Sequence, residues 1–211
     1  MLLLNSGIFY EFIPAEEYFD PNPARLTIGE VELGKNYALV MSSNAGLWAY
    51  SIGDTVKFTS LAPHKVVVTG RIKHFISAFG EHVIGEEVEQ TLKKTLAHHP
   101  ETKVTEFTVA PFVSSGKEPG YHEWLIEFAT PPQDIKAFEA DLNRYLCTLN
   151  AYYDDLQVGN ILAPLRVRSL PANAFRDYMR QAGKLGGQNK VPRLSNTRDL
   201  ADAIIRMQLL A

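Results

Sequence analysis

Three short segments carry residue types that suit chemistry on a nucleotide. In Tyr50-Ser51-Ile52-Gly53-Asp54, an aspartate follows a glycine between two strand candidates. A carboxylate set there can accept from both hydroxyls of a ribose diol; Gly-Asp is also ordinary turn chemistry, with the aspartate bonded to its own backbone. In Gly70-Arg71-Ile72-Lys73-His74, continuing to Gly80-Glu81-His82, the glycines allow close backbone approach. Arg71 offers a planar fork to phosphate or ribose, although Arg71, Lys73 and Glu89 also suit a solvated face. In Gly186-Gly187-Gln188-Asn189-Lys190-Val191-Pro192-Arg193, glycines precede two cations and a helix-blocking proline. Such a loop can carry charge over a phosphate and offset the charge that develops in a transition state, or simply link to a terminal helix.

The elements that hold these segments change character near Gly70. Before it, strand candidates lie at 8–13, 27–33, 37–42, 47–51, 55–59 and 65–69, separated by turn residues; they read as a small barrel or a strongly bent sheet. After it, helices are expected at 86–99, 132–150, 175–182 and 198–210, with strands at 104–112, 123–129 and 165–169. The fold class expected is α+β: a short β-barrel-like N-terminal segment (1–70) followed by a small α/β sandwich (71–211). Asp154-Asp155 reads as a turn after Tyr152-Tyr153, and Cys147 as a small residue beside an apolar stripe. His82 lies in the loop with Gly80.

Composition narrows the classes. The 211 residues hold 21 Lys plus Arg against 24 Asp plus Glu, a net −3, which gives no support to nucleic-acid or acidic-membrane binding. A single cysteine excludes an internal disulfide or a cysteine-only zinc site. No stretch approaches the about 20 apolar residues of a membrane helix, and Met1–Asn5 lacks the basic flank of a signal peptide; a cytoplasmic chain is expected.

The order Tyr50-x-x-Gly53-Asp54, Gly70-Arg71-x-Lys73, Gly80 and Glu87-Val88-Glu89 resembles the adenylate-forming superfamily around its interdomain hinge. Phe9-Tyr10-Glu11-Phe12-Ile13-Pro14 and Pro164-Leu165-Arg166-Val167-Arg168, followed by Gly187 through Arg193, resemble the auxin-responsive Gretchen Hagen family of acyl acid–amino acid amido synthetases. The resemblance covers nearly the whole chain. It implies ATP-dependent activation of a carboxylic acid, with Mg2+, to an acyl-adenylate, then attack by an amine to give an amide and AMP. It implies further that Asp54 holds the ribose, Tyr50 and Arg71 frame the nucleotide, Lys73 is the hinge and Lys190 reaches the α-phosphate. On the same resemblance Gly80, with His82 beside it, is expected to line the acceptor channel. Ser51 stands where the family usually has arginine. The family's phosphate loop and acyl pocket lie N-terminal to these motifs, so the chain corresponds to a C-terminal portion expected to be inactive alone. The alternatives are a non-catalytic binding module or the remnant of an acyl–coenzyme A ligase.

Overall fold

The computed structural model describes residues 7–72, 75–114, 116, 118–186 and 189–209; Lys73, Gly187, Gln188, Ser115, Lys117 and the Met1–Asn5 run lie outside them. The chain divides into two compact units, Met1–Lys73 and His74–Ala211.

The first unit is built on alternation. Strands β1 (Ile8–Pro14), β2 (Asn36–Ser43), β3 (Tyr50–Leu61) and β4 (His64–Arg71) pair antiparallel in the order β1-β2-β3-β4. Phe12, Tyr37, Leu39, Val56 and Phe58 fill one face, with the rings of Phe12 and Phe58 edge to face at 5.0 Å. Ile13, Ala38, Val40 and Ile72 fill the other. Among the described residues β1 and β4 are opposite edges and do not pair, so the sheet is open and not the barrel-like closure expected. Residues 27–33 are not a strand. The Glu30 carboxylate accepts from the N–H and hydroxyl of Thr27 at 2.8 and 2.7 Å, and this local bonding turns the chain where apolar alternation suggested extension. The candidates at 47–51 and 55–59 join in β3 around an irregularity. Across it Val40 pairs with Ser51 and Ala38 with Thr55, which leaves Ile52, Gly53 and Asp54 opposite Leu39 alone.

The second unit opens with a two-stranded ribbon, β5 (Phe75–Ile76) with β6 (Val83–Ile84), and helix α1 (Gly85–His98). Strands β7 (Lys103–Phe112) and β8 (Tyr121–Thr130) pair antiparallel. Helices α2 (Ile135–Leu149) and α3 (Ala151–Val158) then cross over to β9 (Arg166–Leu170), which lies parallel to β8. Helices α4 (Ala174–Gln181) and α5 (Asp199–Leu209) complete it. Central in the sheet, β8 is buried on both faces: Trp124 and Ile126 pack in the larger core with Phe107, Leu92 and Leu142, while Leu125 meets Phe175 and Ile204. Asp154-Asp155 belongs to α3, not to a loop. Asn150 ends α2 and caps α3, its Oδ1 accepting from the Tyr153 N–H at 2.8 Å. No helix of the described residues is long and apolar enough to cross a membrane.

Candidate functional site

In the first unit, pairing of β3 with β4 sets Asp54 directly opposite Arg71, and the Arg71 Nε lies 3.4 Å from the Asp54 Oδ1. Both side chains remain open to solvent, at 32% and 68%. Both groups are thus accessible as they stand. Tyr50, at the start of β3, is half exposed. Gly53 has φ +79°, a left-handed conformation that glycine takes without strain, and its carbonyl accepts from the Ile72 N–H at 2.8 Å.

Ser51 has a role the sequence did not suggest. Its Oγ accepts from the Tyr18 hydroxyl at 2.9 Å and from the Gly53 N–H at 3.3 Å, tying the irregular stretch to the turn after β1. Tyr18 is 33 positions away in sequence, and no local pattern links the two.

In the second unit, the loop from Ser77 to His82 turns inside out around Gly80. Gly80 is exposed with φ +96°, while Glu81 beside it is fully buried. The Glu81 Oε1 lies 2.7 Å from the Nε2 of His122 on β8, also fully buried, and its Oε2 accepts from the Phe79 N–H at 2.8 Å. Burial opposes the charge on Glu81. The hydrogen bond and charge of His122, with the N–H groups of Glu81 and Phe79, outweigh it and hold the carboxyl below its ordinary range. His82 adopts φ +45°, uncommon for a residue with a Cβ, and its carbonyl accepts from Asn150 Nδ2 at 3.4 Å. The Phe79 ring lies against Gly120, where an added Cβ would come within 2.4 Å of it. Gly80 is thus presented by a loop whose neighbours on both sides are sunk into the unit.

Lys190 is exposed. The chain beyond it is strapped to β7: the Thr108 hydroxyl donates to the Pro192 carbonyl at 2.8 Å, and Val109 exchanges backbone bonds with Arg193 and Ser195 at 2.9 and 3.0 Å. Arg193, the second cation of the motif, is held in place. It pairs with Glu89 at 2.6 Å and with Glu106, and lies over the Phe107 ring at 4.7 Å.

Elsewhere, Glu123 is buried between Arg168 and Arg198, each 2.7 Å away, which joins β8, β9 and the start of α5. Burial and the neighbouring Asp154 push the Cys147 thiol up to about 12, so it stays protonated and unreactive. No group of three or more His, Cys, Asp or Glu among the described residues could hold a metal ion.

Comparison with known proteins places the two units in a family. Residues 1–71 match the GH3 family central domain, and residues 86–199 match the GH3 family C-terminal domain. The chain is 27% identical over 210 residues to a jasmonoyl–L-amino acid synthetase, GH3.5, of Oryza sativa subsp. japonica, covering 89% of this chain and 35% of that one. It is 26% identical over 198 residues to the indole-3-acetic acid-amido synthetase GH3.3 of Arabidopsis thaliana, covering 88% and 33%. The chain thus spans about a third of the length of these relatives. The solved structure of a GH3.15 acyl acid amido synthetase shares the fold, with a TM-score of 0.71 over 94% of this chain and 36% of that one at 19% identity. With both of its units matched in order, the chain belongs to the GH3 family.

Proposed function

We propose that this chain is the C-terminal part of an ATP-dependent ligase that activates a carboxylic acid as its acyl-adenylate and joins it to an amine. The observation that carries the reading is the juxtaposition of Asp54 and Arg71 on β3 and β4, both open to solvent, in a chain of this family. In the first half-reaction a carboxylate oxygen attacks the α-phosphorus of ATP, and pyrophosphate leaves. In the second, the amine nitrogen attacks the acyl carbon, the acyl–phosphate bond breaks to release AMP, and the amine loses a proton. The similar proteins named above are amido synthetases, which supports an amino acid as the amine.

In this reading the Asp54 carboxylate accepts from the ribose diol, with Arg71 and Tyr50 framing the nucleotide. Lys190 brings a compact ammonium to the α-phosphate, where negative charge grows as the fifth oxygen approaches. Residues 1–70 are the end of the large adenylation domain and 71–211 the lid, with Lys73 at the hinge. Gly80 and His82 line the path of the amine. We assign this chain no part in holding Mg2+.

The test is carboxylate-dependent exchange of pyrophosphate into ATP by the polypeptide encoded by the whole reading frame. Exchange is expected there, with Lys190→Ala lowering it by about a hundredfold or more, the scale of losing one electrostatic stabiliser. Exchange within a few-fold of wild type in Lys190→Ala removes the role of Lys190. A reading frame that encodes no phosphate loop upstream removes the enzyme reading altogether.

A further inference from the structure

The described residues on the two sides of Gly187-Gln188 are held in different ways. Upstream, α4 finishes in a glycine turn: Gly183 has φ +66°, and the Lys184 N–H reaches back to the Met179 carbonyl at 2.8 Å. Gly186, with φ +97°, follows three residues later. Downstream, the backbone is locked to β7 within two residues of Lys190. Val191 is half-buried against the core on one face of the sheet, and Leu194 is fully buried in the core on the other. Asn196 then accepts from the Ser77 N–H at 2.9 Å, at the root of the loop that presents Gly80.

Arg193 sits where this lock meets the surface. Its guanidinium spans Glu89 on α1 and Glu106 on β7, stacks over Phe107, and lies 3.5 Å from the Phe107 carbonyl. A planar fork suits this bridge and an ammonium does not, because the two carboxylates approach from different nitrogens of one plane. Two extended residues span at most about 7 Å, so a fixed Pro192 confines the Lys190 α-carbon to a short arc.

We infer that Arg193 is the positioning residue of the Lys190 loop: by clamping Glu89 and Glu106 over Phe107 it makes Pro192 the fixed pivot about which Lys190 moves. The clamp itself stands on the contacts above; its consequence for adenylation rests on the proposed role of Lys190.

Limited trypsin digestion of the folded protein, followed by mass spectrometry, reads the pivot directly as the rate of cleavage after Lys190. Arg193→Gln is expected to raise that rate about tenfold, because local opening governs cleavage. Cleavage after the exposed Arg25 in the first unit should stay unchanged. Arg193→Lys should fall between, keeping the charge without the fork, and Glu106→Gln should reproduce part of the effect. The melting temperature should shift little, since pairs this exposed contribute little to global stability. In the protein from the whole reading frame, Arg193→Gln should lower adenylation about tenfold while leaving the release of amide from chemically supplied acyl-adenylate near wild type. A Lys190 cleavage rate in Arg193→Gln equal to wild type overturns the clamp. Faster cleavage with no change in adenylation keeps the clamp and removes its catalytic consequence. Failure of Lys190→Ala to lower adenylation counts against the enzyme role of Lys190 and leaves the clamp to be decided by the cleavage rate.

Discussion

Ser51 and Glu81 both accept from a backbone N–H at or next to a glycine, that of Gly53 itself and that of Phe79 before Gly80. The Ser51 hydroxyl shapes the approach to Asp54, and the Glu81 carboxylate shapes the approach to Gly80. The Glu81 case has a measurable consequence in pH. Its carboxyl is held below the ordinary range in the folded protein. As pH falls through about 4.3, the unfolded chain takes up a proton that the folded carboxyl still refuses, so stability is complete above that range and is lost as pH falls through the folded value. Thermal melts between pH 3 and 7 should show a steeper acid decline for wild type than for Glu81→Gln. At neutral pH, Glu81→Gln should cost about 2 kcal/mol, the scale of a hydrogen bond to a charged group. Parallel curves for the two proteins would mean that the charge of Glu81 contributes nothing.

At the scale of elements, the close passage of Phe79 over Gly120 sets the spacing between the Gly80 loop and the start of β8. An alanine methyl at position 120 would lie 2.4 Å from the Phe79 ring and 2.7 Å from the Phe112 carbonyl. The ring can swing aside; the carbonyl belongs to β7 and cannot. Gly120→Ala should therefore destabilise the second unit by about 1–3 kcal/mol, measured by urea unfolding. Gly116→Ala, whose nearest neighbour lies at 3.8 Å, should be close to neutral. Much of this architecture was legible in the sequence because its cores follow simple periods: two in Phe12, Tyr37 and Leu39, and near four in Val88, Leu92 and Leu96. The misses have local causes. β3 reads as two strands because Gly53 interrupts its alternation, residues 27–33 alternate yet are turned by Glu30, and α3 is too short and too polar to display a stripe. Within the candidate site, Asp54 and Arg71 were legible as motif residues. Their meeting depends on strand register, and the partners Tyr18 and His122 lie 33 and 41 positions from Ser51 and Glu81. Spacing along a chain carries no such register.

At the scale of the whole molecule, each unit buries its own residues. Among the described residues, the two clusters of the first lie at positions up to Ile72, and the two of the second at positions from Ile76 onward. A fragment comprising residues 74–211 should therefore fold cooperatively by itself, giving a single sigmoidal transition in urea with dispersed amide resonances; a collapsed spectrum would show that its core needs the first unit. The two tryptophans fall one to each unit and in opposite surroundings: Trp48 is 83% exposed, whereas Trp124 is fully buried and stacked on Phe107 at 5.6 Å. The chain is thereby its own two-channel fluorophore, with red-edge, iodide-quenchable emission following events near Tyr50 and shielded blue emission following the interior of the second unit.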